Sequence, residues 1–136
     1  MLVALGAGQL AAGVAGHVIA VRQRRSFDIA LLAWRGRPDR VARDALLYGT
    51  GLSAPAWMLA AQLIAIGQLA ARPSQPAAQM LGILGAGMTV GYLVEREFRQ
   101  AMRPKELDPV LTAIAAAGFG LAVPMAVLGL RAGSSD

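Results

Sequence analysis

Five residues near the ends of apolar runs have the chemistry to move a proton or hold a polar ligand: His17, Tyr48, Tyr92, Glu95 and Thr112. An imidazole close to a carboxylate is a pair used for proton transfer, or for gripping a cationic or hydroxylated group. His17 and Glu95 are therefore the catalytic candidates, and Tyr48, Tyr92 and Thr112 the ligand-contact candidates. Their depths agree. His17 stands about one turn before the end of the first apolar run and Tyr48 about one turn into the second. Tyr92 and Glu95 close the third, and Thr112 opens the fourth. If the runs are helices of alternating direction, these side chains meet in one layer.

A plainer reading stands beside that one. Tyrosine is enriched at membrane interfaces, and Glu95 in "EREFR" has Arg96 and Arg99 as near partners. A lone histidine near a helix end is commonly a hydrogen-bonded packing residue. Gln9 and Gln62 read as groups that hydrogen-bond between helices rather than as ligand contacts.

The elements that must carry these residues are legible from charge alone. The chain has 136 residues, 56% of them hydrophobic and only 15% charged, outside the usual balance for a soluble domain. Segments 2–21, 45–71, 77–94 and 110–130 contain no charged residue. A hydrocarbon core about 30 Å thick needs roughly 20 apolar residues in helix. The expected fold is thus all-α: one domain over 1–136, an integral membrane four-helix bundle with connectors at 22–44 and 95–109. The second span is long enough to tilt, or to bend at Pro55.

Eleven of the thirteen Lys and Arg residues lie in those two connectors; Arg72 and Arg131 are the other two. Positive charge is retained on the cytoplasmic side, which places both connectors there and both termini outside, in a membrane of the bacterial inner type. The first span has no positive charge ahead of it, so it reads as an uncleaved helix of reversed orientation rather than a secretory signal. Within the first connector, "SFDIALLAW" has a capping Ser26, an early Asp28 and an apolar body ending at Trp34. That pattern predicts a short helix at headgroup level, with a cytoplasmic extension of the first helix packed against the bundle as the alternative.

Small residues supply the packing signal, because helices in lipid gain little from hydrophobicity when they associate. Gly8, Ala12 and Gly16 repeat every four residues in the first span. Gly87 and Gly91 form G-x-x-x-G in the third, preceded by Gly82 and Gly85, while Gly49 with Ser53 and Ala116 with Gly120 have the same spacing. These positions are expected mainly at helix contacts within the chain, with a dimer face as the other use.

Several functions are excluded by what they require. There is no cysteine, hence no disulfide, thiolate metal site or dithiol chemistry. No acidic residue lies inside a span, as a small proton-coupled exporter needs. Walker, G-x-S-x-G and H-E-x-x-H motifs are missing, and one histidine makes no metal or haem site. No cofactor is implied, and the arginines lack the interleaved aromatics of a nucleic-acid platform. The expected partners are the bilayer and either a partner protein or a second copy. The first functional reading is a non-catalytic accessory or assembly subunit. The alternative is a lipid- or isoprenoid-like ligand-binding protein or enzyme using the His/Tyr/Glu layer, and the third is an oligomeric channel or carrier.

Overall fold

Side chains at the N-termini set where two of the long helices begin. The computed structural model describes residues 1–25, 28–29, 34–37, 39–50, 52–101 and 108–133. In chain order it contains α1 (Leu2–Arg22), β1 (Asp28–Ile29), β2 (Trp34–Arg35), α2 (Val41–Leu47), α3 (Ala56–Ala71), α4 (Gln75–Val94), α5 (Arg96–Ala101) and α6 (Pro109–Gly133). Ser74 caps α4: its hydroxyl oxygen accepts from the Ala77 N–H at 3.4 Å, and a proline sits in the first turn. Asp108 caps α6 by accepting from the N–H groups of Val110 at 2.9 Å and Leu111 at 3.2 Å. Pro124 lies within α6.

Three of these helices, α1, α4 and α6, are long and apolar enough to cross a membrane. Their outward faces are as apolar as their inward ones: Ile83, Val90 and Val110 are each more than half exposed, as are Leu63 and Ile64 on α3. A helix that is apolar all round has lipid or protein on every side. The chain is thus mostly helical and membrane-like.

The second apolar run departs from expectation. Instead of one helix over 45–71 with a bend, α2 ends at Leu47 and α3 begins at Ala56. Gly49 adopts φ +90°, which favours glycine, and a methyl group there would lie 2.7 Å from the Ser53 carbonyl oxygen. Thr50 and Ser53 then exchange backbone hydrogen bonds at 2.9 and 3.4 Å, and Pro55 offers no N–H to continue the ladder. Backbone groups freed from a helix ladder need partners or cover within the protein. Thr50, Leu52 and Ser53 are buried accordingly. The remaining α3, with 16 residues, is about 24 Å long, short of the roughly 30 Å core.

α1 packs on α3 and α6, and α4 packs on the same two helices. Neighbours run antiparallel. Methyl groups placed on Gly6 and Gly13 of α1 would meet Ile66 and Leu59 of α3, and one on Gly8 would meet Leu121 of α6. The closest approach is between α4 and α6. A methyl on Gly82 would come within 2.5 Å of the Leu130 nitrogen, and one on Gly85 within 2.6 Å of the Ala126 nitrogen. Only bare backbone allows this spacing. Leu81, Leu84 and Met88 of α4, with Ala122 and Met125 of α6, fill the interior.

The antiparallel packing brings the two basic connectors to the same end of the molecule, and Arg72 to the other. In the first connector β1 pairs antiparallel with β2, Asp28 opposite Arg35 and Ile29 opposite Trp34. The described ends of the segment expected to form a surface helix are therefore extended. Ser26, Phe27 and residues 30–33 of that segment lie outside the described residues, as do Arg103 and Lys105. The physical reason is a tertiary competitor: the Asp28 N–H donates to Glu95 Oε1 at 2.7 Å, and Ile29 bridges the Glu95 backbone. Local helix propensity of a few tenths of a kcal/mol per residue is easily overridden by such contacts.

Candidate ligand cleft at the basic end

Where α4 ends, its last turns, residues of the interruption between α2 and α3, and Ile29 of the connector line a cleft of about 90 Å³. Its polar lining is Tyr48, Thr50, Ser53, Tyr92 and Glu95, and its apolar lining includes Ile29, Ala54, Met88 and Val94. Three of the five sequence candidates thus meet there. Each is delivered by a different device. Tyr48 caps the C-terminus of α2, half exposed at the rim. Tyr92 lies on the last turn of α4. Glu95 follows immediately, with the extended backbone that separates α4 from α5.

Glu95 is buried, and one of its carboxylate oxygens accepts the Asp28 N–H. This side chain fastens the connector to the end of α4 as well as lining the cleft. Tyr92 is packed against Phe98, ring centroids 5.2 Å apart, and edge-on to Phe119 at 6.3 Å. Its hydroxyl presses on the α6 backbone at Gly118, where a methyl group would overlap it, and has no hydrogen-bond partner. Tyr92 is thus chiefly a packing residue between α4 and α6.

His17 and Thr112 are not among the residues lining the cleft. His17 is half-buried beside Gly16, and its Nδ1 is buried without a partner. Glu95 is not that partner, so the imidazole–carboxylate pair expected from the sequence is not assembled. Thr112 sits in the first turn of α6, its N–H bonded to the Asp108 carbonyl at 2.9 Å.

Thr50 and Ser53 are the cleft residues that sequence reasoning passed over. Both appear as polar groups in an apolar run, and nothing marks them for a site while that run is read as one helix. The signal that could have found them is "YGTGLSAP", in which two glycines and a proline within eight residues predict a turn. The Ser53 hydroxyl donates to the Ala54 carbonyl at 3.3 Å, and the Thr50 hydroxyl oxygen accepts from the Leu52 N–H at 3.3 Å.

The packing candidates divide. Gly16 is buried, and a methyl on it would lie 2.6 Å from the Leu52 carbonyl oxygen; Gly8 lies near Leu121, and Ala12 is half-buried. The fully buried face of α1 is a neighbouring one, Gly6, Gln9, Gly13, Gly16 and Ala20. Gly87 and Gly91 instead turn outward. A methyl on Gly91 would meet nothing within 4 Å, and one on Gly87 only the flexible tip of Met58 at 3.5 Å. Gly49 lies in the interruption, and Ala116 and Gly120 face out.

Deeper in the molecule, Gln62 Nε2 donates to the Gly6 carbonyl at 2.9 Å, tying α3 to α1. Gln9 is wholly buried, with neither amide atom partnered. At the charged surface, Asp39 lies between Arg37 and Arg40, with Arg37 Nε 3.2 Å away. A backbone hydrogen bond at its own residue, then those two guanidiniums, hold its carboxyl below the ordinary value. Among the described residues no group of three or more His, Asp or Glu could hold a metal ion. Comparisons with protein families, curated proteins and solved structures find no match for this chain.

Proposed function

We propose that the chain is a small polytopic protein of the bacterial cytoplasmic membrane, in which α1, α3, α4 and α6 form a four-helix bundle with both termini outside. It acts as a non-catalytic accessory or assembly subunit, docking a transmembrane helix of a partner protein on the outer face of α4. The observation that carries this reading is the open pair Gly87 and Gly91, flanked on the same face by the exposed Ile83 and Val90. Glycines inside a helix lose roughly 1 kcal/mol each against alanine, and neither of these two meets a neighbouring backbone within the chain. A partner backbone approaching them would recover that loss through close packing. His17 and Glu95 do not pair, which speaks in the same direction.

The test is Gly87→Leu, examined in native membranes by gentle extraction and native mass spectrometry. The variant is expected to fold as the wild type does, because only the Met58 tip must give way, and to lose its co-purifying partner. A self-complex lost in the same way would identify the occupant as a second copy. Retention of the same complex by the variant would overturn the reading.

A further inference from the structure

The corner where α2 meets α3 has a chemistry of its own, on different helices from the docking face. Arg40 stands at the N-cap of α2, and Arg43 and Leu47 follow it after three and seven residues, so the three share one stripe of the helix. Leu46 and Leu47 are each more than half exposed, as is Trp57 in the first turn of α3. The Trp57 indole N–H donates to the Leu47 carbonyl at 3.3 Å, which satisfies a carbonyl at the end of α2 and holds the ring against it. The outer face of α3 continues from this ring to Ile64, seven residues or about 10 Å further on and also more than half exposed. From Arg40 to Ile64 the surface passes from charged through aromatic to aliphatic. A phospholipid presents its phosphate, glycerol esters and acyl chain in the same order.

Charge narrows the class further. Segment 37–47 holds three arginines and two aspartates, which leaves one positive charge in excess. Asp39 is shared between Arg37 at 3.2 Å and Arg40 at 3.9 Å, and the largely buried Asp44 reaches Arg43 only at 4.0 Å. The Arg43 side chain is 67% exposed and that of Arg40 49%. Guanidiniums held this loosely keep N–H donors for a further acceptor, and the oxygens of a phosphate match their planar fork. A choline headgroup brings the same phosphate with a cation beside it, which opposes the arginines. We infer that this corner seats one anionic phospholipid of the leaflet at the basic end, its phosphate at Arg40 and Arg43 and its acyl chains along Trp57 and the outer face of α3. The outer face of α4 stays open to the partner helix.

The experiment is quenching of Trp57 fluorescence in the full chain carrying Trp34→Phe, which leaves Trp57 as its single tryptophan. Nanodiscs hold equal amounts of phosphatidylglycerol and phosphatidylcholine with matched acyl chains, and one lipid or the other carries bromine close to its ester. The excess arginine charge is expected to enrich phosphatidylglycerol about fivefold beside the ring. Arg40→Gln combined with Arg43→Gln should bring quenching by the two lipids to parity. Neither side chain caps α2 or is buried, so the fold is kept. Arg99→Gln removes a charge from the same end of the molecule, on the exposed side of α5 where that helix packs on α4 and α6, and should leave the preference intact. Equal quenching by both lipids in the parent chain would overturn the inference. So would a preference that Arg99→Gln lowers as far as the α2 variant does, because the lipid would then follow a diffuse surface potential. Absence of quenching by either lipid would also overturn it, and would mean that a second copy of the chain covers the ring. None of these variants alters Gly87, so the outcome is independent of the docking face.

Discussion

Two faces of α4 carry the same residue at nearly the same spacing and do different work. Gly82 and Gly85 face α6, where backbone meets backbone at distances no side chain permits. Gly87 and Gly91 stand on the opposite side, where an added methyl would meet only the tip of Met58 at position 87 and nothing at position 91. At about 100° per residue, Gly87 and Gly91 lie about 140° and 180° around the helix from Gly82. What the contrast teaches is that a small residue in a membrane helix reports close approach only when a neighbouring backbone is there. The inner pair builds the fold, and the outer pair leaves a surface for something else.

The largest effect should come from the inner face. Gly82→Leu forces a side chain into the α6 backbone, which has no flexible end to move aside, and is expected to cost about 3 kcal/mol or more. Loss of the folded monomer in detergent unfolding would be the readout. A variant as stable as the wild type would mean that α4 and α6 are further apart than described. By contrast Gly87→Leu should leave monomer stability unchanged or raise it by up to about 1 kcal/mol, because the helix gains a better former and only a flexible neighbour must move.

A smaller effect belongs to the polar tie between α1 and α3. Gln62→Leu removes the hydrogen bond to the Gly6 carbonyl, but also removes a buried amide oxygen that has no partner. The two terms oppose, so the loss should be at most about 1 kcal/mol, in line with interhelical hydrogen bonds in membranes. A larger drop in unfolding titrations would mean that Gln62 serves a wider network, with Gln9 as the natural member.

The smallest effect is that of acid on the connector. The carboxyl of Asp39 is held below its ordinary value in the fold, so its contribution is present above the unfolded pKa and is lost as pH falls through the folded one. The group is fully exposed and its partners are solvated arginines, so the midpoint of thermal unfolding of Asp39→Asn should match the wild type across the acidic range.

Much of the helical layout was legible in the sequence because absence of charge over about 20 residues is a strong constraint in lipid. The inner and outer sides of α4 were not, because both present glycine and the outward residues Ile83 and Val90 are as apolar as the inward ones. At Asp28 and Ile29 of the connector the structure departs from the expected helix for a different reason. "SFDIALLAW" has local helix signals, and what overrides them at Asp28 and Ile29 is Glu95, 67 residues from Asp28. A hydrogen bond across that separation leaves no periodic trace. In the site, Tyr48, Tyr92 and Glu95 were reachable from depth along their helices, whereas Thr50 and Ser53 depended on recognising that Gly49 and Pro55 end the helix between them.

The central claim is that the outer face of α4 is where this protein meets a partner helix. The chain has no cysteine, so Val90→Cys places a single benzophenone label on that face, and Ile64→Cys places one on the similarly exposed outer face of α3. Irradiated in native membranes, the label at position 90 should give a discrete protein adduct and the label at 64 only lipid adducts. Equal protein crosslinking from both positions, or none from position 90, would contradict it.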